Sequence, residues 1–141
     1  MNTILNPKQS NTKAGAISLQ ASVDLTGKEN YLLKIVNSSG TPKFALPTAV
    51  TDVAPYICMS GDSTTGDLTA GECPNTGENC RIKLTGTCVP GDRLALSSTY
   101  GTLYAPAASA GSILVEYIAE EAGVDGQDLL VRRIPPRLVT F

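Results

Sequence analysis

Four cysteines, at positions 58, 73, 80 and 88, and thirteen carboxylates are the residues of this 141-residue chain with the most chemistry in them, and no histidine accompanies them. Without imidazole the chain lacks the commonest general acid or base, the usual partner of a Ser or Cys nucleophile, and the commonest zinc ligand beside thiolate. Paired carboxylates, a Ser–Lys couple or an unassisted thiol are the catalytic options that remain. Asp62, Asp67 and Asp92 each follow a glycine, a context in which the Asp side chain bonds nearby backbone and Gly supplies positive φ. That is turn chemistry, and the chain is expected not to be an enzyme.

Metal and cofactor chemistry find little footing. The segments 62–67 and 123–128 hold oxygen ligands, but neither has the alternating ligands and closing Glu of an EF-hand loop. The cysteines are spaced by fifteen, seven and eight residues, whereas zinc sites place paired Cys two to four apart. Disulfides, free buried thiols and a four-Cys metal site are all open to an even count within a loop-rich stretch. Among disulfide pairings the nested one, Cys73 with Cys80 and Cys58 with Cys88, is preferred. It would close a tip over 73–80, with Pro74, Asn75 and Gly77 as turn residues, and clamp its base.

The elements that position these residues read as strands. Arg93–Ser97, Thr102–Ala105, Ile113–Ala119 and Leu129–Ile134 are short apolar-alternating runs separated by Pro90-Gly91-Asp92, Tyr100-Gly101, Ala110-Gly111 and Asp125-Gly126. Strands broken by turns every ~8–12 residues indicate an antiparallel sandwich or barrel. Tyr31–Asn37 and Lys43–Leu46 flank a turn at Ser38-Ser39-Gly40. Pro55–Ser60 is a further strand, with Tyr56 and Cys58 on one face and Ile57 and Met59 on the other. Arg81–Gly86 sets Ile82 and Leu84 against a wet face. The Ile113–Tyr117 run favours strand over helix, with one helical turn expected at Ala119–Ala122. The expectation is an all-β fold, a small antiparallel β-sandwich or barrel of roughly seven to nine strands, with a flexible N-terminal arm.

The arm is residues 1–22, polar and small, with too little apolar surface to offset ordering entropy; the domain is residues 23–141. No Trp and two Phe leave the core to Leu, Ile, Val and Ala, so oligomerisation is a natural supplement. Net charge is −2 with no basic run, which disfavours nucleic acid. No apolar stretch approaches the ~20 residues of a membrane span. The one local charge cluster, Arg132, Arg133 and Arg137 around Pro135-Pro136, is either a solvated strand end or a docking patch for an acidic protein surface.

The segment from Leu25 to Pro136 resembles the small capsid decoration, or cement, proteins of tailed bacteriophages. Asp24 through Tyr31 and the following strand look like that family's opening. Gly91-Asp92-Arg93-Leu94, Tyr100-Gly101-Thr102-Leu103, Gly111 through Glu120 and Asp125 through Pro135 match its later turns and strands, while residues 60–88 depart from its pattern. The resemblance implies a virion protein on the outer capsid surface that stabilises the head by bridging major capsid protein subunits, as a homotrimer at threefold positions, without cofactor. The alternative is a β-sandwich module binding carbohydrate or a receptor, with Tyr100 and Tyr104 beside Thr/Gly/Asp loops.

Overall fold

A computed structural model describes residues 16–99 and 101–141. It contains ten strands and no helix among the described residues: β1 (Ala16–Gln20), β2 (Leu32–Ser38), β3 (Thr41–Ala45), β4 (Tyr56–Cys58), β5 (Leu68–Glu72), β6 (Asn79–Lys83), β7 (Arg93–Leu96), β8 (Leu103–Tyr104), β9 (Ser112–Ala119) and β10 (Asp128–Thr140). They form two five-stranded sheets, ordered β1-β5-β4-β2-β3 and β6-β10-β9-β7-β8. Neighbouring strands pair antiparallel throughout. The all-β expectation holds, with one strand more than its upper count.

Each sheet curls until its outer strands meet. Ala21, just after β1, bridges Phe44 of β3, and Leu84, just after β6, bridges Leu103 of β8. All four residues are buried. Such contacts leave few unpaired backbone groups at the sheet edges, where an open edge would invite pairing with another chain. Inside the first curl lies a core of Leu19, Ala21, Leu25, Leu33, Phe44 and Cys58. A larger core, containing Ile82, Leu94, Tyr117, Leu129 and Val131, fills the second sheet and reaches Leu32 and Ile57 of the first. Because side chains alternate along a strand, β2 sends Leu32 to one core and Leu33 to the other, and β4 divides Ile57 and Cys58 in the same way. The two central strands thereby join the sheets.

The β2–β3 hairpin shows how local residues set register. Ser39 and Gly40 both have positive φ, 52° and 86°, the backbone that a two-residue hairpin loop requires. Ser38 then faces Thr41, and Asn37 faces Pro42.

Several expectations change. Residues 16–20 of the segment read as an arm form β1, paired from Ala16–Glu72 to Gln20–Leu68; residues 1–15 lie outside those described. The stretch 60–88, which departs from the decoration-protein pattern, holds a strand not expected from the sequence, β5, and it lies between β1 and β4. Residues 73–78 are not a hairpin tip: they connect β5 in the first sheet to β6 in the second. Ala119 ends β9 and is followed by bends, so no helical turn forms there. Finally, β10 continues beyond Pro135-Pro136 to Thr140. Arg133 pairs with Tyr117 and Arg137 with Val115, which leaves residues 134–136 opposite Glu116 alone. Proline lacks the ladder donor and is tolerated at a bulge of this kind.

Candidate functional site

The bulge divides β10 into two parts with different duties. Its first part carries Leu129 and Val131 into the larger core. Its last part pairs with the start of β9 through Arg137–Val115, Leu138–Leu114, Val139–Ile113 and Thr140–Ser112. Val115 and Val139 turn inward, while the facing pair Leu114 and Leu138 is 46% and 69% exposed. Two leucines opposite one another on the outer face of a sheet support the β9–β10 ladder as a cross-strand pair and also leave apolar surface exposed that a partner could cover.

A groove opens beside them. β7 pairs with β9 at Arg93–Ile118 and Leu94–Tyr117 and then turns toward β8, where Ala95 and Leu96 face Tyr104 and Leu103. The space left between the diverging strands has a volume of about 550 Å³ and is lined by Val50, Leu96, Tyr104, Ile113, Leu114 and Leu138 among others, none of the lining residues charged. Val50, from the loop between β3 and β4, is 52% exposed. Nothing in the local sequence marks this groove, because Leu114 and Leu138 lie far apart in the chain and look like ordinary strand residues.

Asp52 holds the Val50 loop in place. Its carboxylate accepts the Thr48 N–H at 2.7 Å, the Ala49 N–H at 3.1 Å and the Lys34 ammonium at 2.9 Å. These bonds, with the Thr48 amide first and Lys34 next, lower its pKa from 3.8 to about 2. A carboxyl depressed in the folded state stabilises the fold fully above its unfolded value, and that contribution is lost as pH falls through the folded value. Asp52→Asn should therefore melt below the parent at neutral pH, with the gap narrowing as pH falls from about 4 toward about 2. A gap that stays constant over that acid range would show that the carboxylate does not tether the loop.

The arginines are not a common patch. Arg132 donates from Nε to Glu120 at 3.0 Å and from Nη1 to the Gly77 carbonyl at 2.6 Å. Arg133 points inward and donates from Nη1 to the Pro74 carbonyl at 2.8 Å, with Cys73 Sγ at 2.9 Å. Its backbone accepts the Gly77 N–H and donates to the Glu78 carbonyl. Both side chains fasten the link between sheets; Arg137, exposed like Arg132, has no side-chain hydrogen bond or ion pair among the described residues.

All four cysteines are free thiols, so the nested disulfides are not formed in this structure. Cys58 belongs to the first core and Cys88 to the second, a separation that the spacing of the cysteines did not reveal. Burial raises both thiols, with Cys58 donating to the Ser60 carbonyl at 2.9 Å. Cys80 is pushed up to about 11, chiefly by burial and then by Glu72. Raised thiols of this kind are poor nucleophiles. Two of the three Gly-Asp carboxylates bond turn backbone as expected: Asp67 accepts the Thr64 N–H and Asp92 that of Val89, each at 2.9 Å, whereas Asp62 accepts the Ser60 hydroxyl. Among the described residues no group of three or more potential ligands converges on a metal position.

No protein-family model matches the chain, and no curated protein matches it. A solved structure does, the head fiber gp8.5 N base in bacteriophage phi29, with a TM-score of 0.64 over 85% of this chain and 92% of that one, at 18% identity. The fold is similar to that of this head fiber base. At that identity the likeness is one of architecture, and it extends over both sheets rather than over a single motif.

Proposed function

We propose that the chain is a structural virion protein that binds the outer surface of an icosahedral phage capsid, stabilises it by bridging major capsid protein subunits, and self-associates as a homotrimer. The observation that carries this reading is the fold shared with a phage head fiber base. The resemblance of residues 25–136 to phage decoration proteins, reached from turns and strands alone, supports the same reading. The exposed Leu114–Leu138 pair and its uncharged groove supply an apolar surface that a neighbouring copy of the chain could cover, through a different patch of its own as a threefold ring requires. Arg137 remains available for an acidic capsid surface, and it would mainly steer and orient.

No reaction is needed for this role. A protein that binds the assembled lattice and not its separated subunits stabilises the lattice by mass action. Linked contacts within an oligomer raise the effective concentration at each further site. Co-sedimentation with heads purified from the phage whose genome carries the gene tests the proposal. Saturable binding and a raised temperature of head disruption are expected. A chain that stays in the supernatant at concentrations well above those of the capsid sites would refute it.

A further inference from the structure

Next to the apolar groove, and meeting it at Val50 and Tyr104, lies a region of different chemistry. Beside the place where the second sheet closes on itself lies a cavity of about 480 Å³, lined by Thr85, Thr87, Ser97, Ser98, Thr99 and Tyr104 together with three non-hydroxyl residues. An adjoining cavity of about 330 Å³ shares Thr85 and Thr99 and adds Tyr31, Lys83, Thr102 and Asp125. The two cavities adjoin at Thr85 and Thr99 and are taken together as a trough, with Tyr104 lining the first and Tyr31 the second. Each volume falls within the lower range of small-molecule sites, about 300–1,000 Å³.

The floor is a prearranged hydroxyl chain. Thr102 is 2% exposed and Ser97 3%; Thr102 Oγ1 lies 2.6 Å from Ser97 Oγ and 2.5 Å from Thr85 Oγ1. The Thr99 N–H donates to Ser97 Oγ at 3.1 Å. Three hydroxyls bring three protons to two mutual contacts, so one O–H and several lone pairs remain for an occupant. Thr85 and Ser97, the two ends of this chain, both line the first cavity. Charge selects the kind of occupant. No charged residue lines the first cavity. In the second, Lys83 is paired with Asp128 at 2.7 Å, and Asp125 accepts the Gly86 N–H at 2.8 Å. An anion would find no free cation, and Asp125, held by a backbone N–H, is the single charge without an ion-pair partner in the second cavity; in the uncharged first cavity a polyol would find donors, acceptors and a tyrosine ring to lie against.

We infer that this trough binds a neutral oligosaccharide. The inference does not rest on the capsid-binding role, since its hydroxyl chain of Thr85, Ser97 and Thr102 is no part of the groove beside Leu114 and Leu138, although the two sites meet at Val50 and Tyr104. The test is saturation-transfer NMR of the full chain with neutral tetrasaccharides of glucose, mannose and N-acetylglucosamine, each at about 10 mM, a level that detects millimolar dissociation constants. At least one should show transfer to its ring protons. Thr85→Val and Thr87→Val should each weaken that binding about 5-fold or more, the effect of losing one hydrogen bond worth about 1 kcal/mol. Leu138→Asp should leave it unchanged. Thr87 is exposed, so its variant keeps the test valid should Thr85→Val fold poorly. No transfer to any of the three sugars, or binding that survives both threonine changes, would overturn the inference.

Discussion

Phe44→Ala is expected to lower the unfolding free energy by about 3–5 kcal/mol, the cost of emptying a large buried aromatic position. Phe44 is fully buried in a core of six residues that is otherwise aliphatic, alanine or cysteine. Its ring packs at 5.3 Å from that of Tyr56 and crosses the inside of the curled sheet to Gly71 of β5. There a methyl group on Gly71 would come within 2.5 Å of Phe44 Cζ and 3.1 Å of Tyr56 Cβ. Gly71→Ala should therefore cost about 1–3 kcal/mol through overpacking. The two changes touch the same space, so the penalty of Gly71→Ala should shrink in a Phe44→Leu background. Urea unfolding of the four proteins measures this coupling. Additive penalties would mean that the ring and Gly71 do not compete for one volume.

Leu138→Asp is expected to disrupt self-association while leaving the domain folded. Leu138 is 69% exposed, so a carboxylate there costs the isolated chain little, yet at the centre of an apolar contact it would be desolvated without a partner. Loss of a central interface residue is worth about 2 kcal/mol or more, roughly 30-fold in the association constant per contact. Leu114→Asp should act in the same direction, and the pair together no more than additively, because the residues face one another across the β9–β10 ladder. Sedimentation velocity of parent and variants reads the oligomeric state directly. A trimeric parent with an equally trimeric Leu138→Asp variant would move the interface elsewhere, and a monomeric parent at tens of micromolar (about 10–100 µM) would remove the stable free trimer.

Strands with apolar alternation and turn residues at both ends were legible before any tertiary information. β7, β8 and β9 lie within one residue of their expected limits, and the β2–β3 turn sits at Ser39-Gly40 as the small residues require. Tyr56 and Cys58 share a core that excludes Ile57, as alternation along β4 predicts. The strand missed inside residues 60–88 has a physical explanation. In β5 the apolar residue Leu68 is 70% exposed, while the inward positions hold Thr69 and Gly71. Thr69 is satisfied by Ser63 Oγ at 2.5 Å, and Gly71 makes room for the Phe44 ring. The hydrophobic pattern is inverted there because the interior of a tightly curled sheet is already filled from across the strand.

Composition and local pattern by themselves determined the all-β class, the reliance on a small aliphatic core, the absence of imidazole chemistry and the turn role of the Asp residues, because each depends on residue type and near neighbours. The tertiary structure alone decided which strands pair, that two curled sheets share β2 and β4 as their common wall, that Arg132 and Arg133 serve the link between sheets, and that Cys58 and Cys88 belong to different cores. It also brought Leu114 to Leu138 and Thr85 to Ser97 and Thr102. Those contacts join residues widely separated along the chain, and their formation depends on how the sheets close, a collective balance of burial against chain entropy that no local run of residues encodes.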